Sequence, residues 1–528
     1  MNPSFKKKER IHFILNFMTK IIISTIYFFS FTFCCIAQTD KFWVVGRNCN
    51  LDFRTGICKP DSTNNTNQLI LPQTSTNICD NNGNLIFYSD GYQVMNKNYQ
   101  LMPNGNNFNH GTHANSYIIS GTGYPIIKCA VIIPFVNDTN KYYMFYENSE
   151  YTDNGSGLPD RLQYLIVDKT LDGGLGDVTA KDQVIVQGDS LYGGSVFAIK
   201  HGNGKDWWII ARKFHSNQFY MVLVDSAGPH TPIIQHLGSP YMFTSVYHCV
   251  CNPSIDGSKL AYLYFSFGAN PITQLDIYDF DRCAGNLSNY KKLDLFTTAV
   301  GDTMYSNAVC LSPNNRFAYV HNGGGMWQLD LQKSNPYMSR IRVGVWDGTS
   351  APSNTLFWQM KNGPDGKIYV STYGSTQYIH VINNPDVLDT FCNFKQKQIL
   401  FGTLGYYGHT NGEAHFSDGC LPNIPNFALG AIAPCGNVGV AEVKEEGQSR
   451  TFGIVYPNPA SQSIVVSSKS LVNTIEVRDV LGRVVIQQIK NSSTQQIQID
   501  VSSLSSGLYF IKATDIKGNT MNGKFVKE

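Results

Sequence analysis

The chain is poor in charge. Asp, Glu, Lys and Arg make up only 15% of its 528 residues, where about a quarter is usual. The two signs nearly cancel, with 41 basic and 39 acidic side chains. Without a basic excess there is no electrostatic footprint for nucleic acid or an anionic membrane. The sequence also lacks the motifs of several large enzyme classes: no Gly-x-Ser-x-Gly elbow, no His-Glu-x-x-His, no phosphate-cradling loop and no Gly-x-Gly-x-x-Gly after a strand. Tyr, Phe, Asn, Gly, Ser and Thr take the place of charge, a mix that suits a loop-rich all-β extracellular protein.

The N-terminus carries an apolar run, Ile21 to Phe33, of 13 residues. That is short of the ~20 a membrane-spanning helix needs. Lys6, Lys7, Lys8, Arg10 and Lys20 precede it, and Cys35-Ile36-Ala37-Gln38 follows. A basic region, an apolar core and a small residue form a secretory signal, with the cut expected between Ala37 and Gln38. Met18-Thr19-Lys20 offers a second start for such a signal. Cys34 or Cys35 would serve a lipoprotein alternative, which the bulky Phe33 disfavours. Removing residues 1–37 takes away five basic side chains and one acidic one. The mature chain then has 36 against 38, near −2, with no transmembrane anchor expected.

Of the 13 cysteines, two lie in the signal, leaving an odd eleven. Export permits disulfides, and an odd number leaves at least one thiol outside intramolecular pairs. The expected pairs are Cys49–Cys58, across a turn, and Cys420–Cys435, near the end of the main domain. Cys249 and Cys251 share one side of a strand, but no further ligands follow at zinc-site spacing.

Between residues 80 and 370 one pattern recurs: a polar turn, then an aromatic and β-branched strand. The residues before the strands are 84, 141, 205, 259, 316 and 367, at steps of 57, 64, 54, 57 and 51. A period near 57 with several strands per unit indicates a β-propeller. The stretch from Phe42 to Pro434, 393 residues, holds close to seven such periods. Seven blades are expected. The last would combine Phe42-Trp43-Val44-Val45 with strands just before Cys435, closing the ring without a free edge. Asp and Asn in the turns serve the backbone, so Asp256 and Asp365 are read as turn residues. Ser254-Ile255-Asp256-Gly257-Ser258-Lys259 and Gly363-Pro364-Asp365-Gly366-Lys367 resemble the turns of Tol-type, lactonase-like and WD40-like propellers.

The tail opens with Tyr456-Pro457-Asn458-Pro459 and continues through Asp479-Val480-Leu481-Gly482-Arg483 and Ser506-Gly507-Leu508-Tyr509. Short β-branched runs separated by turn formers at 8–12-residue spacing predict a small Ig-like β-sandwich, with Gly482 and Gly507 in turns. In that order the motifs resemble the type A C-terminal sorting domain of the Bacteroidota type IX secretion system. The resemblance implies export through the periplasm and outer membrane, a secreted or cell-surface location, and the secretion machinery as a partner. The resulting layout is a signal peptide at 1–37, a propeller at 38–435, a charged linker at 436–452 and a sorting domain at 453–528.

Two further stretches, Asp168 to Val178 with Ala198 to Trp208, and Leu421-Pro422-Asn423-Ile424-Pro425-Asn426-Phe427-Ala428-Leu429-Gly430, resemble a propeller region of Bacteroidota surface proteins. That resemblance implies fold and location and leaves the chemistry open. No catalytic residue and no cofactor is assigned. Calcium or another divalent metal is conceivable at Asp172 to Asp177, which fits a turn better than an EF-hand loop. It is also conceivable at His110 and His113, with His215, His248, His321, His409 or His415 from other blades. Tyr241, Tyr247, Trp346, Trp358, Tyr406 and Tyr407 offer aromatic platforms for sugars. Three functions follow: a binding module for glycan or protein, a metal-dependent hydrolase or lactonase-like enzyme acting in the channel, or a structural, gliding-associated component.

Overall fold

A computed structural model describes residues 39–47, 49–61, 69, 71, 73–119, 123–151, 157–240, 249–265, 273–296, 308–350, 353–373, 376–401, 416–417, 419–432, 435, 454–467, 472–479, 483–489, 496–515 and 520–528. The expected signal cut at Ala37 and Gln38 and the linker 436–452 lie outside them. The chain divides into two compact units, Met1–Val438 and Gly439–Glu528.

The described residues of the first unit are built on seven antiparallel sheets of three to five strands, besides a two-stranded pair, Glu150–Tyr151 with Gly157–Leu158. Sheet I joins Phe42–Arg47, Cys49–Asp52 and Lys59–Asp61 to Phe416–Ser417. Sheet II is Thr76–Cys79, Leu85–Ser89 and Val94–Asn96. Sheet III is Ala130–Pro134, Lys141–Glu147, Arg161–Asp168 and Asp177–Gln187. Sheet IV is Phe197–Lys200, Trp207–Arg212 and Gln218–Asp225, edged by Gly228–Pro229 and Ile233–His236. Sheet V is Cys249–Pro253, Lys259–Phe265, Thr273–Asp281 and Asn286–Phe296. Sheet VI is Val309–Leu311, Phe317–His321, Gly325–Asp330 and Ile341–Val345. Sheet VII is Phe357–Asn362, Ile368–Thr372, Tyr378–Ile382 and Phe394–Leu400.

First strands of successive sheets lie side by side from II to VII. Sheet I bridges the ends, touching II through Phe42–Arg47 and VII through Phe416–Ser417. Trp43 of sheet I also packs edge-on to Tyr369 of sheet VII, 5.6 Å between centroids. The unit is a β-propeller. The N-terminal strand pairs with a strand from the far end of the unit, Gly46 opposite Ser417 and Arg47 opposite Phe416. That pairing covers an edge that would otherwise be open.

The six recurring turns each fall between the first and second strands of sheets II to VII. In every one an Asp or Asn side chain accepts the backbone N–H two residues on. Asp80 takes Asn82, Asp138 takes Asn140, Asn203 takes Lys205, Asp256 takes Ser258, Asn314 takes Arg316 and Asp365 takes Lys367. The side chain thus stands in for a backbone acceptor. Gly257 sits at φ +70°, where a side chain is strained, and an added Cβ would lie 2.9 Å from Arg282 Cδ. The second strands are covered on both faces by neighbouring sheets. Trp207–Arg212 is buried throughout, and its first five residues, Trp207-Trp208-Ile209-Ile210-Ala211, read as a continuous apolar run, not an alternating one.

The second unit has two antiparallel sheets. One is Ile454–Tyr456, Ser463–Ser467 and Gln496–Asp500; the other is Val484–Ile489, Val472–Arg478, Gly507–Asp515 and Thr520–Lys527. Ile464, Val466, Ile497 and Ile499 from the first share a core with Ile475, Val477, Ile511 and Phe525 from the second. Asp479 accepts Arg483 N–H at 3.0 Å and pairs with its guanidinium at 2.7 Å, clasping the ends of one motif. The Tyr509 hydroxyl donates to Ser505 O at 2.9 Å, and its ring stacks on Phe525. Gly507 opens its strand in near-extended backbone, φ 158°, and does not form the expected turn. Gly482 lies outside the described residues. Asn458 Oδ1 accepts Val526 N–H.

Candidate functional site

The first strands converge on a central channel, and residues Gly419 to Ile432 run across it as a strap. Asn423 is its hub. Its Nδ2 donates to Lys128 O at 3.2 Å, Ala130 O at 3.0 Å and Val196 O at 3.0 Å. Its backbone N–H donates to Ser75 O, and its carbonyl accepts from Thr76 Oγ1. Ser371 Oγ donates to Gly419 O, Leu421 N–H to Gln359 Oε1, and Asn426 Nδ2 to Ile255 O. The strap is therefore bonded to sheets II, III and VII and to the ends of the first strands of IV and V. Pro422 and Pro425 have no N–H to satisfy, which leaves this irregular segment fewer buried donors. At its far end Arg282 donates to Gly430 O and Ile432 N–H to Gly202 O, and beyond it Cys435 forms a disulfide with Cys283.

Between strap and sheets lies a cavity of about 270 Å³. Trp43, Lys128, Asn252, Cys310, Lys361 and Asn423 give it its chemistry, and Phe197, Ile199, Ile255 and Leu429 its apolar wall. Lys128 is 3% exposed and donates from Nζ to Asn252 Oδ1 at 2.7 Å. Asn252 is held by Nδ2 bonds to Val309 O and Met360 O. Lys361 Nζ donates to Ile424 O at 2.7 Å and lies 5.4 Å from the Trp43 ring centroid. Burial lowers the Lys361 pKa to about 7. The like charge of Lys128 adds to the effect, and Asp40 opposes it. Burial also lowers Lys128. Desolvation disfavours an ammonium that lacks an opposite charge close by. Three lysines, one carboxylate, four primary amides and an indole thus line one small space.

The histidine candidates do not converge. His110 Nδ1 meets Asn115 Oδ1 at 3.2 Å, and His113 Nδ1 meets Ser149 Oγ at 2.7 Å. His215 stacks on Phe214. His321 is buried in the core, its Nε2 on Trp358 O and its Nδ1 accepting Gly323 N–H, and burial lowers its pKa to about 4. His248, His409 and His415 lie outside the described residues. Among the described residues no three His, Cys, Asp or Glu side chains are placed to hold a metal. Asp172 to Gly174 form a single helical turn, and Asp177 accepts from Asn104.

Both expected disulfides need correction. Cys435 bonds to Cys283, 152 residues away with Cα atoms 5.3 Å apart, so Cys420 is not its partner. The strap carries Cys420 into the channel and Cys435 out to the sheet V turn. Cys58 is a free thiol against the Tyr369 hydroxyl, so the Cys49–Cys58 bridge is not formed. Of the aromatic platforms, Trp346 bonds Thr355 Oγ1 and Trp358 packs on Tyr373. Tyr241, Tyr247, Tyr406 and Tyr407 lie outside the described residues. The sequence reading missed Lys128 and Lys361. A single lysine inside Ile126-Ile127-Lys128-Cys129-Ala130-Val131-Ile132-Ile133 was the available signal.

Residues 454–528 match the family model described as a secretion system C-terminal sorting domain. The chain is a type IX secretion cargo carrying a propeller, secreted or displayed at the cell surface. No helix among the described residues is long and apolar enough to cross a membrane. The comparison with curated proteins returns no match.

Among solved structures the chain is similar to a protein from Lactobacillus plantarum, at 11% identity and TM-score 0.30, covering 73% of this chain and 93% of that one. It is similar to a quinonprotein alcohol dehydrogenase-like protein from Bacteroides thetaiotaomicron, at 10% identity and TM-score 0.32, covering 69% and 78%. A third is the Cps50 (Swd1) β-propeller domain of Myceliophteria thermophila, at 9% identity and TM-score 0.23, covering 70% and 92%. The architecture rests on the strand pairing above, not on these likenesses.

Proposed function

We propose that this chain is a surface-displayed binding protein, delivered by its sorting domain and recognising a glycan or protein ligand through the propeller. The observation that carries this reading is the strap-covered cavity, where Trp43 and the amides of Asn252 and Asn423 meet the ammonium groups of Lys128 and Lys361. Small-molecule sites combine a mostly apolar wall with a few convergent polar groups. In the same reading the seven sheets are seven blades and the two-sheet unit is Ig-like. Residues 1–37 are removed on export, and 436–452 form the linker.

The test is a thermal-shift series on the mature chain with bacterial, algal and plant glycans, calcium, zinc and chelator. A ligand at about 100 times its Kd adds roughly 2.7 kcal/mol of stability. A glycan shift indifferent to chelator supports the reading. A large loss of melting temperature on chelation would overturn it in favour of a metal-dependent hydrolase.

A further inference from the structure

The charge lining the cavity is one-sided. Lys41, Lys128 and Lys361 face it, and Asp40 is the one carboxylate among its lining residues. With all four ionised the lining carries +2. Neither Lys128, which is buried, nor Lys361, which is half-buried, has a carboxylate as its hydrogen-bond acceptor: Lys128 has an amide oxygen and Lys361 a backbone carbonyl. An ammonium has three donors, so each retains capacity beyond its one described bond. Gathering three like charges against a single carboxylate is costly, and buried charges are ordinarily paired. Lys361 is the clearest case: burial and Lys128 act to remove its proton, and among the lining carboxylates Asp40 alone opposes them.

The rest of the lining is not built for a bare inorganic ion. Phe197, Ile199, Ile255, Pro422, Pro425 and Leu429 form an apolar wall. The volume, about 270 Å³, is just below the 300–1,000 Å³ of typical ligand pockets. It suits a body about as large as one sugar ring.

We infer that the cavity takes a small organic acid whose carboxylate sits between Lys128 and Lys361 and whose body lies along Trp43 and the apolar wall. This rests on the reading of the cavity as a ligand site. A carboxylate adds counter-charge to that of Asp40 and accepts the spare N–H groups of both lysines in charge-assisted bonds. The acid can be free or the terminal residue of an acidic glycan, since both present the same group.

The test uses the mature chain and matched acid and neutral probes: glucuronate with glucose, galacturonate with galactose, N-acetylneuraminate, succinate and inorganic sulfate. An acidic oligosaccharide separates the bound-glycan source from the free acid. Titration calorimetry should show at least one acid binding ten-fold or more tighter than its neutral partner. Lys361→Gln and Lys128→Gln should each weaken that acid at least ten-fold. A melting curve for each variant separates lost binding from lost folding, and Lys41→Gln provides a milder change at the cavity edge.

Neutral sugars binding as well as their acids would overturn the anion inference and leave the binding reading standing. Sulfate alone binding would overturn the organic-acid inference. Acids failing while another glycan of the panel binds would do the same, and no binding by any probe or glycan would remove both.

Discussion

Replacing Glu147 by glutamine should flatten the pH dependence of stability. Glu147 is fully buried at the end of a sheet III strand. One carboxyl oxygen accepts Ser195 Oγ–H at 3.0 Å and the other accepts Gly194 N–H at 2.9 Å. Burial nonetheless raises its pKa from 4.5 to about 8, with these bonds pulling the other way. The folded state therefore holds a proton that the unfolded chain releases near its ordinary value. The resulting stability is fully present below 4.5 and is lost as pH rises through about 8.

At ~1.4 kcal/mol per pH unit, the loss between pH 5 and pH 7.5 is about 3 kcal/mol. Glutamine has the same shape and no proton to lose, and its amide can donate to Ser195 Oγ. Urea unfolding of the mature chain and of Glu147→Gln should give stabilities whose difference shifts by about 3 kcal/mol toward the variant over that range. Parallel curves, within about 0.5 kcal/mol, would mean that Glu147 is ionised and satisfied in the folded state, and would refute a burial-raised pKa.

Three more outcomes are expected. Cys283→Ser opens a loop of 152 residues, which chain entropy values at about 5 kcal/mol, and should expose residues 419–435 to protease before the rest of the unit; a wild-type cleavage pattern would contradict the role given to the bridge. Trp208→Ala should cost about 3–5 kcal/mol, because the ring is buried between sheets IV and V and its Nε1 donates to Arg282 O; a urea midpoint within experimental error of wild type would refute that packing. Deleting 454–528 should retain the protein in the periplasm with the propeller's melting temperature unchanged, since the two units are separately compact; surface display of the truncated chain would contradict the sorting role.

The propeller was legible because its signal is local and repeated. Each Asx turn such as Ser254 to Lys259 fixes its own hairpin, and a period near 57 counts them. The tail was legible for the same reason, its runs from Ile464 to Phe525 alternating with turn formers. What stayed hidden depends on closure of the ring. Cys283 and Cys435 are neighbours only because the strap ends beside the sheet V turn. Lys128 and Lys361, over two hundred residues apart in sequence, share a cavity only because sheets III and VII face one channel. The motif from Leu421 to Gly430 was visible as a pattern. Its physical meaning came from the partners of Asn423, which belong to residues 75 to 196.

The Cys283–Cys435 bridge also sets where tension can travel. A sorting domain hands its chain to export machinery, so a pull on it reaches the propeller unit from the C-terminal side. Among the described residues of that unit Cys435 stands last in the chain, bonded covalently to a turn of sheet V. Load is carried into that turn and bypasses the strap, whose hydrogen bonds to Asn423 and its neighbours would otherwise break in succession, like a zip. The bridge works as a strain relief, the knot in a cord where it enters a housing, so the lid over the cavity stays seated when the tail is pulled.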